Sequence, residues 1–388
     1  MITSQTTSSG YDLVTGARRL AETLLAQNAE DTDRNAAWPD QNMRALAAAG
    51  FMGLHVPVGY GGRGEGLLTL ARVTEELGAG CSSTAMCYGM HCVATAVIAA
   101  KATSHQVERY LRPIAAGRHI TTLALSEPGT GAHFYVPRAT FEADGQAFRL
   151  NGRKSFVTNG GQADSYVVSA VAAGEDMDPG TFTCLLVDAA TPNLAWGPPW
   201  AGFGMRGNSS RSLELDSVAV ARANLLGAEG DQLWYVFEIV APYFLVAMAG
   251  SYLGIARQAM ALAIEHLKQR QHDHTSARLS ENAALTEQVA DMWVKVERCR
   301  SLLHHAASLY DAGDAGAEPA LFAAKIEVAD TVVGVTNAAM TLMGGQGYQQ
   351  NGALGRLQRD AQAAHIMSPT THLLKSWLGR SALGLPAF

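Results

Sequence analysis

ITTLALSEPGTGAHF, residues 120–134, is the stretch on which the fold turns. Its first half, ITTLALS, is short and β-branched, the composition of a strand. Its second half stops that strand. Pro128 lacks a backbone N–H, and Gly129 and Gly131 let amide groups approach a ligand with no Cβ in the way. Taken alone, SEPGTG at 126–131 reads first as an ordinary strand-ending turn.

Toward the N-terminus the pattern is helical, from Tyr11 to about Gly117. Leu20, Leu24 and Leu25 recur at one-turn spacing, as do Met43, Leu46 and Ala47 behind Asp40, which the pattern makes an N-cap. GFMGLHVPVGYGGRGEG (50–66) is a glycine-rich loop, and Leu67–Leu77 and Thr84–Ala102 are helical again. Toward the C-terminus the period changes. TFEADGQAFRLNGRKSFVTN, SYVVSAVA, TFTCLLVDA and RSLELDSVAV are short alternating or β-branched runs, with turn signals at Asp144-Gly145, Asn151-Gly152 and Asn159-Gly160-Gly161. Strands at this spacing make a small β-barrel or sandwich. Helix then returns over 232–270, 284–312 and 317–343. The expected organisation is α+β: a helical domain at 1–117, a β-domain at 118–230 and a helical domain at 231–388.

The length, 388 residues, exceeds what one core usually supports. Hydrophobic residues are 48% and charged ones 16%, which suits a protein hiding surface in an oligomer. Net charge is −6 with no basic cluster, which argues against a nucleic-acid partner. The five cysteines (Cys81, Cys87, Cys92, Cys184, Cys299) are odd in number and lack paired CxxC spacing. Reduced thiols are expected, with neither a disulfide framework nor a metal site. MITSQTTSSGYDLV has neither a basic nor an apolar leader segment. The longest apolar stretch, around Ile239 to Leu253, contains Pro242 and two tyrosines and reads as too short to cross a bilayer. A cytoplasmic protein away from the membrane is the expectation.

Five segments, in order along almost the whole chain, resemble the acyl-CoA dehydrogenase superfamily. AAGFMGLHVPVGYGG (48–62) resembles the loop leaving the early helices, and ALSEPGTGAHF (124–134) the family's EPxAGSD signature. GRKSFVTNGGQADSYVV (152–168) is similar to GxKxWITNG, and GFGMRGNSSRSLELDSVAV (202–220) to the GMRxS strand pair. MTLMGGQGYQQNGALGRLQRDA (340–361) resembles GGxGY…RDA. The resemblance implies that fold, ending in a four-helix bundle, with FAD as cofactor and a homodimer or homotetramer as the working form.

By that resemblance Leu125, Ser126 and Gly131 lie along the flavin ring, with Ser126 giving a hydroxyl and an amide. Phe156 and Thr158 take the places of the family's Trp and Thr, and Thr370 is a further flavin contact. Arg270, Gly344, Gly345 and Gly347 reach the FAD of a neighbouring subunit. The chain departs from the pattern in places. Ala132 and His133 replace the serine–aspartate pair, Thr341 stands where a glutamine is frequent, and the Phe-Gly after Arg270 is missing.

The main departure concerns a base. Removing the α-proton of an acyl thioester needs a positioned carboxylate. In most of the family a glutamate supplies it in a segment that here reads Ile366-Met367-Ser368-Pro369-Thr370. Some members carry it instead on the first long C-terminal helix, where this chain has Ala241-Pro242-Tyr243-Phe244, with Glu238 a turn upstream as a solvated residue. Ser368 therefore occupies the base's place. Three readings follow: an FAD-dependent oxidoreductase acting on an acyl thioester carried by CoA or a carrier protein; a monooxygenase of the same fold, fed exchangeable FADH2 by a flavin reductase; or a non-catalytic subunit of a heteromer. His372, one turn past Ser368, and His91 in YGMHCVAT are the candidate proton carriers. Met86, Tyr88, Met90 and Phe244 are candidates for a cavity lining or for core.

Overall fold

The computed structural model describes residues 6–174, 179–230, 233–274 and 276–386. Helix α1 (Thr6–Leu20) runs through a π turn at Ala21–Leu25 into α2 (Ala26–Arg34), and α3 (Asp40–Ala48) follows. Asp40 is the first residue of α3 and not its cap. Pro39 holds the cap position, and the Asp40 carboxylate accepts instead from Arg44 one turn on, at 2.9 Å. After the 50–66 loop come α4 (Leu67–Gly80) and α5 (Ser82–Ala100), then the short α6 (Ser104–Gln106) and α7 (Arg112–Ala115). α5 is buried all round from Ser82 to Ile98, as a helix without a polar face must be, and packs on α4.

The strands are β1 (Thr121–Ala124), β2 (Thr140–Asp144), β3 (Ala147–Val157), β4 (Ser165–Ala172), β5 (Thr183–Asp188), β6 (Leu194–Trp196), β7 (Arg211–Ala221) and β8 (Leu225–Leu226). They form one path, β6-β7-β3-β2-β4-β5-β8, with β1 added parallel to β4. The ends of the path do not pair. Its two halves fold over a shared core that includes Phe141, Phe148 and Leu213 from one half and Tyr166 and Leu185 from the other. Of the two expected forms, this is the sandwich.

Asp144-Gly145 and Asn159-Gly160-Gly161 are turns, but Asn151-Gly152 is not. It lies inside β3, where the register against β7 slips between Leu150 and Gly152. Gly152 has φ 144°, and a Cβ there would sit 2.6 Å from that of Ala139. Asn151 Oδ1 accepts from the Ser217 amide at 2.8 Å. The pair builds a bulge that bends the strand.

The C-terminal region is α8 (Ala241–Gln269), α9 (Ala283–Asp311), α10 (Ala317–Met343), α11 (Ala353–Ala361), α12 (Ala363–Ile366) and α13 (Thr371–Ala382). α8, α9 and α10 pack pairwise, and α13 closes on α10. Pro242 is tolerated because it stands in the first turn of α8, directly after a π turn at Tyr235–Val240. α8 and α4 meet backbone to backbone. A Cβ on Gly78 would be 2.3 Å from Ser251 O, and one on Gly254 2.2 Å from Glu75 O.

The apolar stretch around Ile239 to Leu253 belongs to a helical run, Tyr235–Gln269, that is long and apolar enough to cross a bilayer, as is Ser82–Ala100. The sequence reading of "too short" is corrected here. Of each helix's apolar window, 89% is buried inside the protein, so these are core helices.

Candidate active site

A cavity of about 690 Å³ lies where the β-domain meets α5, α8 and the α11–α13 region. Its size falls in the range of small-molecule and cofactor sites. β1 ends at Ala124, and the chain turns into Leu125, Ser126, Glu127, Pro128, Gly129 and Gly131, all on the cavity wall. Gly129 and Gly131 have φ of 86° and 57°, and no atom lies within 4 Å of where their Cβ would be. The opposite wall is Gln362, Ala363, Ile366, Met367, Ser368 and Thr370.

A buried ion pair fixes the first wall. Lys154 Nζ lies 2.6 Å from Glu127 Oε1, and both side chains are out of water. Glu127 also accepts from the Arg138 and Ala139 amides at 2.8 and 3.1 Å, and Lys154 donates to Ser169 O at 2.5 Å and Oγ at 3.1 Å. Burial pulls the Lys154 ammonium below its usual range, and the Glu127 charge opposes that. Glu127 is thereby engaged on all sides and tethers both ends of the 127–139 loop.

Four non-glycine residues around the cavity adopt the left-handed backbone: Phe156, Asn159, Met205 and Ser209. Such strain persists only where neighbours over-determine it, and it concentrates at ligand sites. Here Asn159 is pinned by Trp38 Nε1, donating at 2.9 Å, and by its own donation to Cys87 O at 2.9 Å. The Met205 amide is held by Asp360 Oδ1 at 2.6 Å, which secures the 202–205 loop over the site. Phe156, 70% exposed, stands edge-on to Trp200 at 6.2 Å.

The structure brings together Leu125, Ser126, Gly131, Phe156, Thr158, Ser368 and Thr370 on one cavity. Ser368 makes no side-chain hydrogen bond among the described residues, whereas the Thr370 hydroxyl also caps α13 by accepting from the Leu373 amide at 3.3 Å. Met86, Met90 and Phe244 line the apolar end, but Tyr88 is core, its hydroxyl donating to Phe51 O at 3.1 Å.

The structure places neither histidine candidate on the cavity wall. His91 is fully buried away from the cavity, with Nε2 donating to Met52 O at 3.0 Å and Nδ1 accepting from the Thr121 amide at 3.1 Å. Burial lowers its pKa to about 4, so it is a neutral structural residue joining α5 to β1. His372 is exposed on α13 and does not line the cavity, because one turn of helix past the Ser368 segment points it to solvent.

Arg270, Gly344 and Gly345 are exposed and outside their own chain's cavity, and Gly347 is buried under Met343 and Leu354. Glu238 is exposed, as read from the sequence. Sequence reading missed Trp200, Asn208, Ser210 and Gln362 as lining residues. The signal available for Asn208 and Ser210 was GFGMRGNSS (202–210), a glycine-rich run between strands. All five cysteines are free and buried, and no metal-ligand cluster occurs among the described residues.

Family models match the chain along most of its length: "Acyl-CoA dehydrogenase, N-terminal domain" at 11–118, "middle domain" at 122–218 and "C-terminal domain" at 245–383. The chain belongs to the acyl-CoA dehydrogenase family. Within it, the cyclohex-1-ene-1-carbonyl-CoA dehydrogenase of Geobacter metallireducens is 32% identical over 94% of this chain and 96% of that one. The acryloyl-CoA reductase (NADH) of Anaerotignum propionicum is 29% identical over 95% and 92%. The structure of butyryl-CoA dehydrogenase from Megasphaera elsdenii superposes with a TM-score of 0.91 at 25% identity, covering 99% of each chain.

The acyl-CoA dehydrogenase family is flavin-dependent, and this member is an FAD-dependent oxidoreductase. The residues present fit the flavin. The open-sided backbone at Gly129 and Gly131 admits a flat ring, Phe156 supplies an apolar wall, and Ser126 and Thr158 supply hydroxyls. The Trp200 indole N–H is buried without a partner among the described residues.

Proposed function

We propose that the protein carries out flavin-dependent oxidation or reduction of an acyl thioester whose Cα is already activated, so that no resident carboxylate is needed. One observation carries this. Glu127 is the only carboxylate lining the cavity among the described residues, and Lys154 and two backbone amides occupy it. An ordinary saturated acyl thioester holds its α-proton too tightly to lose it to water or to the Ser368 hydroxyl. An electron-withdrawing substituent on Cα acidifies that proton enough to leave to water; in the reductive direction an α,β-unsaturated thioester takes hydride at Cβ and a proton from water at Cα, again with no resident carboxylate.

Bound in this cavity, FAD would supply the hydride acceptor or donor for the substrate. The protein's own part is positional. Met86, Met90, Leu123, Phe134, Val240 and Phe244 form an apolar pocket for the acyl group and exclude water. Ser368 supplies a hydroxyl that donates or accepts at the reacting end. A second copy of the chain, offering Arg270 and the Gly344–Gly345 backbone, would complete the cofactor site.

The FAD-loaded protein is mixed anaerobically with acyl-CoAs, and bleaching of the flavin is recorded. Saturated thioesters bearing an electron-withdrawing substituent on Cα are expected to bleach it stoichiometrically and unsubstituted straight-chain ones at least a hundredfold more slowly, with Ser368→Glu raising the unsubstituted rate at least tenfold. Equal bleaching by unsubstituted thioesters would overturn the proposal. So would a product formed only when a reductase supplies reduced flavin and oxygen is present, or activity appearing only with a second polypeptide.

A further inference from the structure

A second cavity, of about 490 Å³, opens beside the first and shares Gly202, Phe203 and Arg359 with it. Its walls come from the last turns of α2 (Glu30, Asp33, Arg34), the 201–206 loop, and the approach to α11, with Gln350, Asn351 and Gly352 followed by Arg356. Four arginines thus face two carboxylates. Both carboxylates are engaged, Glu30 with Arg34 and Asp33 with Arg359, whose Nη1 lies 2.9 Å from Asp33 Oδ1. Arg206 and Arg356 remain. Each is half-buried, and neither guanidinium makes a hydrogen bond or ion pair with any described residue.

A guanidinium is charged at every physiological pH and offers five donors in a fork that matches phosphate. Two without a hydrogen-bonded or ion-paired partner leave positive charge in the concavity, offset at Arg356 only through space by the buried Asp360 carboxylate. α11 adds to it, because its N-cap is Gly352 and no side chain caps its first amides.

We propose that this second cavity binds a phosphate-bearing small molecule, with the phosphate held by Arg206 and Arg356. Two guanidinium groups without an ion-pair partner suit a doubly charged oxyanion better than a single carboxylate, and the volume leaves room for an organic body beyond the phosphate. Occupancy reaches the flavin cavity through the shared wall, where Arg359 Nη1 also donates to Phe203 O at 3.0 Å. This site is independent of the thioester reading above.

The test is calorimetric titration of the full-length, FAD-loaded protein in phosphate-free buffer. The probes are inorganic phosphate, pyrophosphate and adenosine 3′,5′-bisphosphate, with succinate as the carboxylate comparator. Saturable binding of the bisphosphate is expected, at least tenfold tighter than inorganic phosphate or succinate, and accompanied by a shift in the flavin absorption band. Arg206→Gln with Arg356→Gln is expected to weaken it at least tenfold while flavin content stays constant. Arg206→Gln alone, at a half-exposed position, gives the same reading should the pair not fold. Absence of saturable binding, unchanged affinity in the variants, or inorganic phosphate or succinate binding as tightly as the bisphosphate would overturn the proposal.

Discussion

Lys154 and Glu127 form a 2.6 Å ion pair from which water is excluded, and the loop that walls one side of the flavin cavity is tied to it at both ends. Removing one partner leaves a buried charge unpaired, which costs about 3–5 kcal/mol. Lys154→Met should therefore destabilise the protein by that order and lower its flavin content. Glu127→Gln with Lys154→Met should recover at least half of the loss. Urea denaturation with parallel flavin absorbance checks both, and a single variant as stable as the wild type would contradict the account.

Acid sensitivity should trace to buried histidines. His91 and His55 are each lowered by burial to about 4. Their unfolded forms take up a proton near pH 6.5, so the unfolded state binds more protons between about pH 6.5 and 4. Stability is fully present above that window and is lost as pH falls through it, by roughly 3 kcal/mol for each histidine. Unfolding midpoints from pH 7.5 to 4.5 measure the slope. His91→Gln should flatten it; an unchanged slope would assign the acid loss to other groups.

Turnover should ignore His372. It is exposed and off the cavity wall, so His372→Ala should leave kcat and KM within twofold of wild type. A tenfold fall in kcat would return it to the list of proton carriers.

Gly204→Ala tests the roof of the site. A Cβ there would meet Arg359 O at 2.4 Å, and that backbone cannot swing aside as a flexible side chain could. Overpacking of this kind costs on the order of 1–3 kcal/mol. Because the loop covers the cavity, flavin retention after gel filtration should fall with stability. Full retention would show that the loop relaxes without cost.

Where one physical signal dominated, the sequence was readable. The expected helices at 284–312 and 317–343 lie within one residue of α9 and α10, since periodicity over seven turns leaves few alternatives. Leu125, Ser126, Phe156 and Thr158 meet on one cavity because their segments, at a strand end and a tight turn, constrain the backbone strongly. Asn151-Gly152 misled because the dipeptide's turn preference is local, whereas the bulge is set by Ser217 across the ladder and by Ala139 beneath. β6 and β8, three and two residues long, carry too little pattern to be seen. His91 misled for another reason: its partners, Met52 O and the Thr121 amide, are far away in sequence, and nothing in YGMHCVAT reveals them.

The contact of α4 with α8 at Gly78 and Gly254 bears on how this enzyme changes substrates. α5 follows α4 after a single residue and carries Met86 and Met90, while α8 carries Phe244. With the two backbones touching, neither helix can slide to enlarge the far end of the pocket, which behaves as a fixed mould. Adapting to a longer or bulkier acyl group must then proceed by exchanging the residues at 86, 90 and 244 themselves.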